Sequence, residues 1–244
     1  MPMSTAYASQ FLDAELNHSS GYFDDPEMSL EDAQRAKVKA ILDHCRVEPS
    51  MRLLDVGCGW GAAARSASRT YGARVIGIAI EDAQLAYAID AEKGQPVETA
   101  VDYRLQRWED FDEPVDRIIC INAFENFDDK KAFLSHCRSL LPVGGVMVML
   151  TVTADRPMFR VISKREIIAT AEGAGFEVHV SESLAAHYVR TLERYCDNLS
   201  TRMAEVARLI GAERVKKSMD YYTSCAGFLE SGMNDMFEFT FTAR

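Results

Sequence analysis

Two patterns of apolar and polar positions alternate along the middle of the chain: short apolar runs and longer stretches with a helical repeat. The apolar runs have the length of buried strands and lie at 52–56, 73–80, 99–105, 116–121 and 143–151. The helical stretches that separate them lie at about 62–70, 82–93 and 128–140. Strands that alternate with helices of this length predict parallel βαβ units with right-handed crossovers. We therefore expect a doubly wound α/β sheet with helices on both faces.

The two ends of the chain follow other patterns. Residues 1–28 are irregular, and Ser29 begins a predicted helix because Asp32, three positions later, completes a variant of the capping box. After the fifth predicted strand come a strand-like segment and a mostly helical one, at 176–181 and 187–231. Residues 236–242 alternate as a terminal strand, which we expect to pair antiparallel with the sheet.

The turn after the first predicted strand carries the most chemical information. Gly57, Gly59 and Gly61 follow that strand, and glycine allows both a positive φ and a close approach of a ligand to the backbone. The N-terminus of the next helix offers free N–H groups to an anion. Asp55 precedes the first glycine by two residues, where its carboxylate can receive the ammonium of a methionine moiety. A dinucleotide pyrophosphate has no use for that acid, so the motif favours S-adenosylmethionine; the alternative is a tight turn without a ligand.

The next predicted strands end in further polar candidates, at the sheet edge where open α/β folds bind ligands. Glu81, Asp82 and Gln84 follow the second strand and can accept hydrogen bonds from ribose hydroxyls. The alternative for these residues is a solvated helix N-terminus, which favours acids in any case. Trp108 and Glu109 follow the third strand, where a ring can stack on adenine and an acid can cap its amino group. The alternative for Trp108 is an ordinary core aromatic.

Composition narrows the class of partner. The 244 residues are 48% hydrophobic and 26% charged, and the formal net charge of −10 argues against nucleic acid and against docking on anionic lipid. The six cysteines form no CxxC pair, so we expect no zinc site and free thiols in a reducing cytoplasm. No apolar stretch reaches the roughly 18–20 residues of a membrane span. We therefore expect a cytoplasmic protein with a small-molecule substrate, no metal, no nucleic-acid partner and no stable membrane association; a homo-oligomer is compatible with the sequence.

Several segments taken together resemble the cyclopropane fatty acid synthase family, which includes the mycolic acid methyltransferases. The matching segments are 21–34, 53–61, 107–117, 123–125 and 187–192. The resemblance implies a class I methyltransferase fold of the Rossmann-like type, S-adenosylmethionine as methyl donor and attack by a carbon nucleophile, typically an alkene. It carries over as cofactor contacts Ser19, Asp55, Gly57, Gly59, Gln84, Trp108 and Glu109. The full predicted set adds Cys58, Gly61, Ile80, Glu81 and Asn122.

The resemblance also implies a base cluster that departs from the family pattern. In the family, a Cys, a Glu, a His and a Tyr bind the carbonate that deprotonates the methylated carbocation. Glu125 and Tyr188 match two of these residues, but Ser20 stands at the Cys position and Leu150 at the His position. The family's long lipid-covering insertion shrinks to about 154–165. Because a carbonate dianion needs several donors, we expect neither bicarbonate dependence nor action on long-chain lipids.

The sequence therefore predicts an S-adenosylmethionine-dependent methyltransferase of natural-product or antibiotic biosynthesis that methylates carbon in a small molecule. Nitrogen and oxygen acceptors stay open, as do a cyclopropane-forming enzyme and a binding protein that keeps the fold without turnover. The catalytic candidates are Glu125 as general base or partner of a developing cation, Tyr188 as an orienting hydroxyl and His18 as an alternative base. The structural alternatives are a loop brace for Glu125, a packed ring for Tyr188 and a satisfied or surface side chain for His18.

The predicted layout is a single domain over 1–244, with an N-terminal helical cap and a C-terminal helical segment around the sheet. The cap and its helix occupy 1–48, and the cofactor-binding core occupies 49–152. The substrate-side region and the closing strand occupy 153–244.

Overall fold

The computed structural model describes residues 3–94, 96, 101–155 and 160–244. Its strands are β1 (Arg52–Val56), β2 (Arg74–Ala79), β3 (Asp102–Leu105), β4 (Arg117–Ile121), β5 (Val146–Thr153), β6 (Phe176–Val180) and β7 (Asp235–Ala243). Its helices are α1 (Thr5–Ala8), α2 (Leu30–His44), α3 (Ala62–Tyr71), α4 (Asp82–Asp90), α5 (Lys130–Leu140), α6 (Lys164–Gly173), α7 (Ala185–Thr201), α8 (Met203–Ile210) and α9 (Ala212–Glu230). The predicted alternation of strands and helices is thus confirmed.

The order of the strands places a ligand site beside β1. The described strands form one sheet in the order β3-β2-β1-β4-β5-β7-β6, and β1 pairs in parallel with both β2 and β4. The chain runs outward from β1 to β3 and then returns to β4 on the other side of β1. In open α/β sheets, ligands bind at such a reversal, outside the carboxyl ends of the strands.

The terminal strand lies inside the sheet rather than at its edge. β7 pairs antiparallel with β5 along its length, from Val146 opposite Thr242 to Thr153 opposite Asp235. It pairs antiparallel with β6 on its other side. Its apolar side chains are buried because other strands and helices cover them: Met236, Phe237, Phe239 and Phe241. The antiparallel pairing predicted from the sequence is confirmed.

Most predicted element boundaries lie within three residues of the observed ones, and the larger differences are at the two ends of the chain and after β5. The short helix α1 lies in the segment predicted to be irregular, and α6 lies where no helix was predicted. The segment predicted to be mostly helical at 187–231 consists of three helices, α7, α8 and α9, which are separated by breaks at Arg202 and Gly211. The predicted third strand begins at 99, but residues 97–100 lie outside the described residues. The helix start at Ser29 is confirmed, since its hydroxyl oxygen accepts a hydrogen bond from the Asp32 backbone N–H at 3.1 Å.

The N-terminal segment packs on the C-terminal helices, above the carboxyl edge of the sheet. The ring of Phe11 lies 5.4 Å from that of Tyr195 in α7 and 5.6 Å from that of Tyr222 in α9. The backbone N–H of Gly21 donates to the Thr191 hydroxyl at 2.9 Å. Residues 16–19, which border the site, are therefore held in place by the far end of the chain. None of the described helices is both long enough and apolar enough to cross a bilayer.

Candidate active site

A cavity of about 600 Å³ lies where the topology places a ligand site, at the carboxyl ends of β1, β2 and β4. All the predicted cofactor contacts except Gly61 line it: Ser19, Asp55, Gly57, Cys58, Gly59, Ile80, Glu81, Gln84, Trp108, Glu109 and Asn122. Gly61 lies at the start of α3, where its carbonyl accepts a hydrogen bond from the Tyr103 hydroxyl at 3.3 Å. Asp82 is exposed in the first turn of α4 and is not part of the lining.

The glycine turn leaves room for a ligand against the backbone. Gly57 and Gly59 have φ angles of 76° and 55°, which glycine adopts without strain. A Cβ added to Gly57 would lie 2.5 Å from the Cβ of Ala123, so the turn packs closely on the residues after β4. A Cβ added to Gly59 would meet nothing within 4 Å, because this position faces the open cavity. The two glycines therefore bring the backbone to the cavity wall and leave the space beyond it to a ligand.

Asp55 provides an unpaired carboxylate in the cavity wall. It is the penultimate residue of β1, it is 2% exposed, and no described residue donates a hydrogen bond to it. Burial raises the pKa of Asp55, and the positive charge of Lys37 lowers it in part. Lys37 compensates the charge of this carboxylate only in part and donates no hydrogen bond to it, and the ammonium of a methionine moiety can supply that donor. The residues present thus fit S-adenosylmethionine.

The far side of the cavity presents apolar and aromatic surface. Ile80 is 67% exposed at the end of β2 and faces the cavity. Trp108 is half-buried, and its ring packs edge-on against Phe133 with centroids 5.3 Å apart. Trp108 therefore belongs both to the core around α5 and to the cavity lining. Glu109 is exposed, and its carboxylate pairs with the Arg107 guanidinium at 2.6 Å.

One carboxylate oxygen of Glu125 accepts hydrogen bonds, and the other has no hydrogen-bond partner among the described residues. It lies in the single 3₁₀ turn Phe124–Asn126 after β4, and its Oε1 accepts hydrogen bonds from the Val152 backbone N–H (2.8 Å) and the Asn122 amide (3.3 Å). Oε2 is buried with no hydrogen-bond partner among the described residues. The Thr151 hydroxyl donates to the Val152 carbonyl at 3.4 Å, and it lies close enough to Glu125 to lower the pKa of that carboxyl in part. Burial raises the pKa of Glu125, which makes its carboxylate a stronger base.

The structure brings Tyr188 close to Glu125. Neither residue lines the cavity itself, but Asn122 and Asn126, on either side of Glu125, do. Burial raises the pKa of Tyr188, and the negative charge of Glu125 raises it further. The Tyr188 hydroxyl makes no hydrogen bond within the described part of the chain. A hydroxyl that has no hydrogen bond here and that interacts electrostatically with Glu125 can orient an acceptor for reaction.

His18 lies in the cavity lining, where its ring keeps accessible surface that faces the cavity. Its Nε2 atom is 3.3 Å from the Tyr222 hydroxyl, and its ring stacks on Tyr195 with centroids 6.0 Å apart. The protein around the ring disfavours its charged form, because burial removes water from it, and this lowers the pKa of His18 to about 4. The ring is therefore neutral at pH 7 and can accept a hydrogen bond from a ligand.

Sequence reasoning missed several polar residues of the lining, among them Lys37 and Asn17. Lys37 is a buried lysine in α2, and the signal was its spacing. It lies four residues after Ala33 and four before Ile41, both of which are fully buried. A lysine on the apolar face of an amphipathic helix points toward the protein interior.

Comparison with known proteins supplies the family. A family model described as mycolic acid cyclopropane synthetase matches residues 2–161 and 157–239. The S-adenosylmethionine-dependent methyltransferase UmaA of Mycobacterium tuberculosis is 32% identical, over 98% of this chain and 94% of its own length. Cyclopropane mycolic acid synthase 2 of Mycobacterium bovis is also 32% identical, over 97% of this chain and 90% of its own length. The chain belongs to the mycolic acid cyclopropane synthetase family.

Solved structures of the mycolic acid cyclopropane synthetase family share the fold. The cyclopropane synthase MmaA2 from Mycobacterium tuberculosis superimposes with a TM-score of 0.94 at 29% identity, over 98% of this chain and 94% of its own. Mycolic acid cyclopropane synthase CmaA1, complexed with SAH (S-adenosylhomocysteine) and CTAB, gives 0.92 at 32% identity with the same coverage. More distant methyltransferase structures, such as coclaurine N-methyltransferase (TM-score 0.82, 18% identity), share the fold alone. The chain is thus a cyclopropane synthase-like methyltransferase of class I fold that uses S-adenosylmethionine.

The base cluster implied by the family resemblance does not fit a carbonate here. Ser20 is fully buried, and its hydroxyl donates to the Gly21 carbonyl at 2.9 Å. Leu150 is also fully buried, in an apolar cluster that includes Met236 and against which Tyr188 packs. Neither side chain offers a free donor, so a carbonate beside Glu125 would meet a carboxylate without compensating hydrogen bonds.

Substitution of Asp55 by alanine is expected to weaken S-adenosylhomocysteine binding by roughly one to two orders of magnitude, because a charge-assisted contact contributes about 1.5–3 kcal/mol. Isothermal titration calorimetry measures the dissociation constant, and circular dichroism melts verify that the fold is retained. Asp82→Ala is the matched control, since this exposed acid lies outside the lining and its removal should leave the affinity unchanged. Equal affinities for Asp55→Ala and wild type would contradict the role of Asp55.

Proposed function

We propose that this enzyme transfers a methyl group to carbon in a small-molecule acceptor and releases an open-chain, methylated product. The observation that carries the proposal is the unpaired, buried Oε2 of Glu125, in a cluster where Ser20 and Leu150 cannot hold a carbonate. When bound, S-adenosylmethionine supplies a methyl group on a positively charged sulfur. The remaining chemistry, removal of one proton from the methylated acceptor, falls to Glu125.

The surroundings of Glu125 suit a general base. Its raised pKa increases proton affinity, and two donors on Oε1 fix the carboxylate in one orientation. The Tyr188 hydroxyl can orient the acceptor, and the neutral ring of His18 can accept a hydrogen bond from it.

A compact acceptor suits the short connection between β5 and α6. This connection spans only residues 154–163, and the family model divides into its two matched segments at 157–161. The alignment with UmaA spans 269 positions, whereas this chain has 244 residues, so the gaps include positions that this chain lacks. Less polypeptide is then available to cover a long acyl chain. A small molecule of natural-product biosynthesis is the acceptor class that we propose.

Cyclopropane formation is the second candidate function. It is favoured by the relatives, several of which are named cyclopropane mycolic acid synthases. The same Glu125 would then remove a proton from the transferred methyl group, and the carbon left behind would close the ring. The two functions differ only in which proton the base removes.

Methyl-deuterated S-adenosylmethionine tells these functions apart. The enzyme is incubated with this donor, in bicarbonate-depleted buffer, and with either a small-molecule extract of its host or vesicles of dioleoyl phosphatidylglycerol. We expect a small-molecule product that keeps all three deuterium atoms and its double bond. Loss of one deuterium together with the double bond identifies ring closure and overturns open-chain methylation. Mass spectrometry and NMR of the product measure both quantities.

The same assay tests whether the rate of turnover depends on bicarbonate. We expect the rate to stay within about twofold when bicarbonate is restored, since no carbonate site is formed. A matched relative that keeps the Cys and His of the cluster serves as positive control. A several-fold rise in rate when bicarbonate is restored, or efficient modification of the vesicles, would contradict the proposal and indicate a lipid cyclopropane synthase.

A further inference from the structure

Lys37 is a charged side chain buried in the wall of the cofactor cavity. It is 1% exposed, on the face of α2 that otherwise packs in the core. Lysines are almost never fully buried without a partner, because desolvation of the ammonium is costly. None of the activities described above uses this charge. Because Lys37 lies in the cavity lining, a ligand can reach its charge.

The hydrogen bonds of Lys37 leave one donor free. Its Nζ atom donates to the Asn17 side-chain carbonyl at 3.1 Å and to the Ser19 hydroxyl oxygen at 2.9 Å. An ammonium has three N–H donors, so one has no acceptor among these contacts. Since the Ser19 oxygen accepts from Lys37, its own hydrogen is available to a ligand as well. Two donors thus lie side by side in the lining.

A second layer of contacts fixes this pair of donors. The Asn17 amide donates to the Asp13 carboxylate at 2.8 Å, so the Asn17 carbonyl is turned toward Lys37. The Gln34 amide donates to the Ser19 backbone carbonyl at 2.7 Å. Lys37, Asn17 and Ser19 are therefore held before any ligand binds. Such preorganisation increases affinity because less conformational entropy is lost on binding.

The charges at this end of the cavity match an α-amino acid. Burial lowers the pKa of Lys37 to about 8, and the carboxylates of Asp13 and Asp55 oppose this shift, so the ammonium persists at pH 7. Asp55 adds an unpaired negative charge in the same lining. One fixed cation and one fixed anion are complementary to the carboxylate and ammonium of a zwitterion.

We propose that Lys37, together with the Ser19 hydroxyl, binds the carboxylate of the methionine moiety of S-adenosylmethionine, while Asp55 binds its ammonium. The inference concerns the donor end of the reaction and holds whatever the methyl acceptor is. It makes Lys37 a cofactor-binding residue rather than a buried counter-charge for Asp13.

The test compares S-adenosylmethionine with its decarboxylated analogue, which keeps the ammonium and lacks only the carboxylate. Calorimetric titration of Lys37→Met should show affinity for S-adenosylmethionine reduced about 10- to 100-fold, and affinity for the analogue within about threefold of wild type. Lys39→Met is the matched control, because Lys39 lies on the exposed face of α2, paired with Asp43. It should change neither affinity.

Two outcomes would overturn the proposal. An equal loss for both ligands would make Lys37 a structural counter-charge, and an unchanged affinity for S-adenosylmethionine would remove it from the site. Lys37→Gln, which keeps a donor for Ser19 but no charge, covers the case in which the methionine variant does not fold. The wild-type protein alone gives a further check: it should bind S-adenosylmethionine at least about 10-fold more tightly than the analogue, and equal affinities would refute the carboxylate contact. These readouts need no turnover, so they are unaffected if the proposed acceptor chemistry is wrong.

Discussion

Replacement of Glu125 by glutamine is expected to slow methyl transfer roughly 10²- to 10⁴-fold, the range that a general base contributes. The substitution is nearly isosteric, and the glutamine Oε1 can still accept from the Val152 N–H and the Asn122 amide. Only the charge and the unpaired acceptor are lost, so S-adenosylhomocysteine should bind as it does to wild type. Single-turnover rates at saturating cofactor measure the chemical step directly.

The control for this variant is a carboxylate outside the site. Glu177→Gln, on the exposed face of β6, should leave both the rate and the affinity unchanged. If Glu125→Gln turned over at the wild-type rate, Glu125 would be a brace that ties the turn after β4 to β5. A loss of melting temperature in parallel with the rate would point to the same conclusion.

Substitution of Gly57 by alanine is expected to lower the free energy of unfolding by about 2–6 kcal/mol. Two effects add: a non-glycine residue is strained at a φ of 76°, and the new methyl group would lie 2.5 Å from the Ala123 Cβ. The turn or the strand end must move to relieve this contact, and the cavity wall moves with it. Urea denaturation followed by circular dichroism measures the change.

Gly59→Ala is the matched control in the same turn. It also places a side chain at positive φ, but its methyl group would meet nothing within 4 Å, so only the strain, about 1–3 kcal/mol, should remain. Adding Ala123→Gly should recover part of the loss in the Gly57→Ala protein and none in the Gly59→Ala protein. If the two single variants lost the same free energy of unfolding, the close contact with Ala123 would not contribute to the effect of Gly57→Ala.

The sheet could be predicted from the sequence because burial on both faces gives its strands continuous apolar runs. β1 was predicted with its observed limits, 52–56. The helix α6 was missed, although Ser163 caps it and accepts a hydrogen bond from the Glu166 N–H at 3.2 Å. The capping signal is present in the sequence, but the predicted insertion at 154–165 covers the start of the helix, and no element is predicted for residues 166–175. Local capping residues and the apolar repeat need to be weighed together.

The cofactor cavity was largely predictable because chain topology alone places strand ends together. Asp55 lies near the end of β1, Gln84 and Asn122 follow β2 and β4, and all three line the cavity as expected. Lys37 was not predicted because lysine is ordinarily solvent-exposed, although its spacing from Ala33 and Ile41 places it on the apolar face of α2. The unpaired oxygen of Glu125 was not predictable either, because it depends on where the Val152 N–H lies relative to a 3₁₀ turn.

The position of β7 has a consequence for how the protein is made. Synthesis proceeds from the N-terminus, yet β7, which is made after the other described strands, lies between β5 and β6. Until β7 has left the ribosome, β5 and β6 both lack the strand with which they pair, and such unpaired edges favour pairing with other chains. Residues 16–19 likewise lack their contacts with α7 and α9 until those helices have been made. The cofactor site is therefore completed only after α9 and β7, and loss of these elements would harm a cavity whose lining residues all precede them in the chain.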